Sequence, residues 1–180
     1  GNVSGTNFNA TANTITFAGS APNLASTTAN SDLLLSTNGV AGRVTFNGGG
    51  KIQQTAEKVT TEATAATGTV NYDVLTQAVW NFTTNASGNW TLNIRGNGSN
   101  SLNNIMDTGE SITVAHIVKQ GGTAYYNSAV QVDGSSVTPE WQGGAAPSAG
   151  NTNSLDVYSY TVIKTGDAAF TVLAAQTQFA

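Results

Sequence analysis

One histidine and ten carboxylates are the first candidates for general acid–base chemistry in this sequence. A Ser-His-Asp arrangement would have to run through His116. That residue shares strand parity with Ile112, Val114 and Val118, so it is expected to point at the core or at a subunit contact, and no nucleophile elbow accompanies it. Paired carboxylates could hydrolyse glycosides, one as acid and one as base or nucleophile. The candidates are Asp107 with Glu110, Asp73, Asp133 and Glu140. Asp107-Thr-Gly-Glu110 reads as a turn before a strand, and Asp133-Gly134 as a hairpin turn. With no Cys there is no thiolate nucleophile and no zinc–cysteine site, and no Asp-rich loop has calcium-ligand spacing. Gly121-Gly122 and Gly143-Gly144 lie in β-rich surroundings without the following helix of a phosphate loop, and read as tight turns. No catalytic residue, metal ligand or cofactor is therefore expected. The Asn-x-Ser/Thr triplets at Asn2, Asn9, Asn81, Asn85, Asn89 and Asn97 are what an Asn/Ser/Thr-rich chain produces by composition.

The aromatic residues are more informative. Trp80, Phe82, Trp90, Tyr126, Phe170 and Phe179 alternate with polar neighbours and fit core faces. Tyr125, Trp141 and Tyr158 fit less well, and are the candidate surface contacts. A Trp or Tyr displayed beside Asn, Gln and Asp can hold a sugar ring, its face stacking while the amides bond hydroxyls. The same residues could instead pack under loops or at a subunit contact.

The elements that would position these side chains follow from composition. Of 180 residues, 27 are Thr, 20 Asn, 15 Ser and 20 Gly, and only 9% are charged, against about a quarter in an ordinary domain. Thr and Val suit a pleated strand; Asn, Gly and Ser suit turns. The net charge of −4 with six basic residues argues against nucleic acid, and no apolar run approaches a membrane span. Nor is there the apolar segment of a signal peptide. Two regions are expected. Residues 1–66 hold short runs, Asn13–Phe17, Asp32–Ser36 and Gly42–Phe46, too small to bury a core unless packed against copies of themselves. Segment 55–68 reads as a strand followed by a turn. Residues 67–180 hold seven or eight strands: one long strand, or two meeting at a bend, over Val70–Phe82; then Trp90–Ile94, Ile112–Val118, Val130–Val132, Leu155–Ile163 and Phe170–Phe179. The expected fold is all-β, with a C-terminal β-sandwich, jelly-roll-like, behind a repetitive shaft-like segment.

Four stretches then carry a resemblance: Asn71–Trp80, Asn85–Arg95, Thr138–Gly144 and Phe170–Phe179. In this order they resemble the C-terminal domain of virion structural proteins of marine tailed phages, notably cyanophages, of tail-fibre-like or other appendage type. Residues 31–39 and 42–46 are similar to repeats of phage fibre shafts. The resemblance spans about residues 50–180 and implies a virion-surface protein, non-enzymatic and homotrimeric, partnered by other virion proteins. It transfers no catalytic residue. The expected function is host attachment through a glycan or an outer-membrane receptor, with loops 96–104, 121–128 and 138–153 in contact, and without nucleic acid or membrane insertion. Capsid decoration and a polysaccharide-degrading appendage are the alternatives.

Overall fold

The computed structural model describes Val44 and residues 52–180. The short runs expected within 1–54 lie, Val44 apart, outside the described residues. Ten strands and one short helix follow: β1 (Val59–Ala65), β2 (Gly68–Asp73), β3 (Val79–Thr84), β4 (Trp90–Arg95), α1 (Leu102–Ile105), β5 (Ser111–Lys119), β6 (Asn127–Val132), β7 (Ser135–Val137), β8 (Glu140–Trp141), β9 (Leu155–Gly166) and β10 (Ala169–Phe179).

They form a sandwich of two sheets. Six strands lie in the order β1-β3-β5-β9-β10-β8 and four in the order β2-β4-β6-β7. The all-β sandwich expected from the sequence is the architecture found. Its winding is particular. The first six strands alternate between the sheets, so that β1, β3 and β5 pair in parallel on one side and β2, β4 and β6 in parallel on the other. Parallel neighbours need a crossover, and here the opposite sheet provides it. The chain thus coils through the sandwich before β9 and β10 close it as an antiparallel hairpin on β5. A jelly roll, by contrast, runs its neighbours antiparallel.

Val70–Phe82 is indeed two strands meeting at a bend, and the bend carries the chain from one sheet to the other. Segment 55–68 gives strand β1 and a turn. β1 precedes the boundary expected at 66/67, yet it is hydrogen bonded to β3 as part of the six-stranded sheet. The Asp133-Gly134 hairpin forms with both residues at positive φ, 51° and 81°, the geometry that matches strand twist in a two-residue turn.

Even-numbered positions face inward on both sheets. Val70, Leu92 and Val130 form one buried row across β2, β4 and β6; Tyr72, Ile94 and Val132 form the next. Val114, Val118, Tyr158, Tyr160, Val162 and Val172 face them from the larger sheet. Tyr72 reaches across the sandwich, its hydroxyl 2.6 Å from the Ala78 carbonyl oxygen and 3.1 Å from that of Ala115. On the outer side of the four-stranded sheet the parallel register stacks like on like. Asn93 donates to Asn71 at 2.8 Å, and Arg95 Nε lies 2.6 Å from Asp73 Oδ1.

Candidate functional site

His116 occupies the centre of the core. Its ring is fully buried and ringed by Tyr72, Trp80, Phe82, Trp90 and Tyr158, with centroid separations of 5.0 to 6.5 Å. Neither ring nitrogen has a hydrogen-bond partner among the described residues; the indole nitrogens of Trp80 and Trp90 share that condition. Burial drives the imidazole pKa down to about 3, so the ring is neutral and serves as a packing element. The core position expected from its parity is the one it occupies.

Of the carboxylates weighed for catalysis, Glu110, Asp73 and Asp133 are given to local structure. Glu110 Oε2 accepts the Asp107 backbone N–H within their turn. Asp73 pairs with Arg95. Asp133 accepts the backbone N–H groups of Leu102 and Asn103, at 2.6 and 2.9 Å, and so holds the N-terminus of α1 from the β6–β7 hairpin. Buried Lys164 completes the clamp: its ammonium donates to the Asn103 and Met106 carbonyls at the other end of the helix. Neither α1 nor its clamp is visible in the sequence. Among the described residues no three His, Asp or Glu side chains gather as a metal-binding group, and no helix is long and apolar enough to cross a membrane.

The three aromatic candidates have different fates. Tyr158 is not a surface contact. It sits at an even position of β9, has no exposed surface, and its hydroxyl accepts from the Asn127 N–H and from Gln176 Nε2. The polar run around it misleads because Asp156, two residues away, is itself inward-facing and buried. Phe179 is corrected in the opposite sense. It lies an odd number of residues from inward Phe170, so strand alternation turns it outward, where it is 52% exposed. Tyr125 is half-buried against the core, its backbone held at both ends by Gln120: the Tyr125 N–H donates to Oε1 at 2.9 Å and Nε2 donates to the Tyr125 carbonyl at 2.7 Å.

Trp141 is the candidate that lines a cleft. β8 pairs with β10 through only two residues and sets the indole edge-on to Tyr160, 6.1 Å between centroids. At this place the edge of the four-stranded sheet faces the edge of the six-stranded one, with a cleft of about 270 Å³ beside the seam. Val130, Val137, Pro139 and Trp141 give it an apolar wall, and Ser128, Ser136 and Thr138 bring hydroxyls. Asn127 lies beneath, spent on structure: its amide donates to the Trp90 and Ala129 carbonyls and accepts from the Tyr160 hydroxyl. The cleft walls draw on two of the expected contact loops, 121–128 and 138–153.

A buried polar chain fixes those loops, and sequence reasoning missed it. Asp156 accepts from Gln120 Nε2 and from the Asn151 backbone N–H. Gln176 Nε2 lies within hydrogen-bond distance of the Ala149 carbonyl and the Tyr158 hydroxyl. Burial raises the Asp156 pKa, against the pull of these donors. Gly150 threads between the two loops: a Cβ there would stand 2.2 Å from the Tyr125 carbonyl oxygen and 2.8 Å from Asp156 Oδ2.

Compared with known protein families, curated proteins and solved structures, the chain matches none.

Proposed function

We propose that this protein is a non-enzymatic virion-surface module, a fibre or appendage domain that attaches to a host-surface glycan through the Trp141 cleft. The observation that carries the adhesion reading is the cleft itself. A half-buried indole, a proline and two valines form an apolar wall, and Ser128, Ser136 and Thr138 are its polar lining, the Ser128 hydroxyl donating to the Trp90 carbonyl and left with its lone pairs for a ligand. A pyranose ring has one apolar face and a rim of hydroxyls, and such a wall with such a rim is its complement. Pre-formed loops favour binding because little ordering is left to pay for, and the Gln120–Asp156–Asn151 chain provides that rigidity. The virion assignment rests on the resemblance of the four stretches between Asn71 and Phe179, together with a β-rich, charge-poor chain. A single shallow cleft gives weak affinity, so attachment would depend on many copies per particle.

The test is a glycan array and a host-cell binding assay on the whole chain, displayed multivalently. Trp141→Ala should lower binding about tenfold or more, the equivalent of roughly 1.4 kcal/mol per copy, while the domain, though less stable for the lost contact with Tyr160, remains folded at the assay temperature. Equal binding by wild type and variant would remove the cleft from the account. Loss of all binding to susceptible hosts and glycans by the wild type would remove adhesion.

A further inference from the structure

We infer that the outer face of the six-stranded sheet is a self-association surface, occupied by the same face of a second copy of this chain. The inference is independent of the sugar cleft.

Four large apolar side chains stand exposed on this one face: Val59 (55%), Leu155 (42%), Leu173 (45%) and Phe179 (52%). Half-buried Val79, Ile117, Val157 and Ile163 fill the space between them. The registers lay these residues out in rows across the strands. Val59, Val79, Ala115, Ser159 and Ala175 form one row; Thr61, Asn81, Ile117, Val157 and Thr177 form the next. Leu155 pairs with Phe179, and the exposed apolar side chains are interspersed with Thr61, Asn81, Ser159 and Thr177; apolar groups displayed in this way on a polar-rimmed surface mark interaction sites. The outer side of the four-stranded sheet is built differently, from Asn71, Asn93, Gln131, Ser136 and the Asp73–Arg95 pair.

Size and charge select the occupant. Strands about 4.8 Å apart and about 3.3 Å per residue give six strands and the nine residues of β5 a face of roughly 700 Å². That approaches the ~800 Å² per partner of a standard stable interface. Two charged residues of opposite sign stand on the face, at diagonal corners of its β5–β9–β10–β8 part. Lys119 ends β5 in the row of Leu155 and Phe179; Glu140 lies on the far edge strand, β8, in the row of Leu173 and Thr161. A two-fold axis lying in the plane of the face, midway between these corners, sets Lys119 of each copy against Glu140 of the other. The midpoint falls among Val157, Ser159, Ala175 and Thr177, where the small side chains let two sheets approach. A self-complementary patch of this kind is what an isologous pair requires. The diagonal, about 14 Å across the strands and about 20 Å along them, makes the strands of the two copies cross steeply, near the orthogonal class of sheet packing.

The test is sedimentation of the full chain over a range of micromolar concentrations, with thermal unfolding as the check on folding. Wild type should be a dimer. Leu173→Glu should weaken dimerisation about tenfold or more while the fold persists. Lys119→Glu and Glu140→Lys should each weaken it, and the double swap should restore it. A wild-type monomer at every concentration overturns the inference. Assembly that ignores these substitutions, trimeric assembly included, overturns it as well. A charge swap that fails to rescue refutes the two-fold arrangement. Trp141 borders this face beside Glu140 and Leu173 as well as the cleft, so the control is Val137→Ala in the cleft wall, which should leave the dimer intact and keep failure here distinguishable from failure of the glycan reading.

Discussion

A neutral imidazole held among five aromatic rings ties the stability of this protein to pH. His116 titrates near 6.5 when exposed and near 3 in the fold. Below pH 6.5 the unfolded chain takes up a proton that the folded chain refuses, so stability present above 6.5 is lost progressively as the pH falls toward 3. The loss should be on the order of 4 kcal/mol over that window. Buried Asp156 works in the opposite direction: its pKa is raised, so the charge it must bury at neutral pH is relieved by acid. Urea unfolding from pH 7 to pH 4 should show a falling midpoint for wild type, and a flatter profile for His116→Phe. Equal slopes for the two proteins would mean that His116 is not the group being titrated. The sequence allowed this residue to be placed, because alternation with Ile112, Val114 and Val118 fixes its face. It did not allow Tyr158 to be placed, because the inward side of β9 runs Asp156, Tyr158, Tyr160, Val162 and Lys164, with a charge at each end, a mixture that hydropathy does not separate from the outward row of Leu155, Val157, Ser159, Thr161 and Ile163. The polar members of the inward row are satisfied by groups far away in the chain: Asp156 by Gln120 and Asn151, Lys164 by the end of α1.

At the scale of elements, what distinguishes the cleft is how its loops are held. Gln120, at the end of β5, binds both the N–H and the carbonyl of Tyr125, closing a short loop as a backbone segment would. Asp156, at the start of β9, gathers Asn151 and Gln120 and so ties the 142–154 loop to the 121–126 loop. Gly150 is where the two backbones nearly touch. Gly150→Ala should cost about 1–3 kcal/mol, the range of an overpacked core, and should loosen the loops more than the sheets. Hydrogen exchange would locate the effect: faster exchange confined to residues 121–127 and 145–154 is expected, and uniform acceleration would contradict it. Turns such as Asp133-Gly134 were legible because their chemistry is local. β7, β8 and α1 were not, since two or three residues carry no period. They exist because of neighbours: β8 because β10 offers an edge, and α1 because Asp133 and Lys164 hold its two ends.

At the scale of the whole molecule, the all-β sandwich was readable from Thr, Val, Asn and Gly content, and its winding was not. Strand periodicity says which face is buried, and nothing in it says whether the next strand pairs beside its predecessor or across the core. Six strands alternate between the sheets, so stability should grade from the middle outward. β5 and β9 are paired on both sides, while β1 and β8 are edges. Native-state exchange should find the slowest amides in β5 and β9 and the fastest in β1 and β8. Slow exchange at β1 in a protein shown to be monomeric would contradict that grading. The parallel run also has a mechanical meaning. β1 is parallel to β3 and β5; β10, antiparallel to β9, points the same way again. The registers set Val59 level with Ala175, so the line from residue 59 to residue 179 runs about 19 Å across the strands and about 13 Å along them. Tension applied between residues 59 and 179 therefore crosses the ladder obliquely, partly in shear, many hydrogen bonds at once, and partly along the hydrogen bonds, which give way from the edge strand inward.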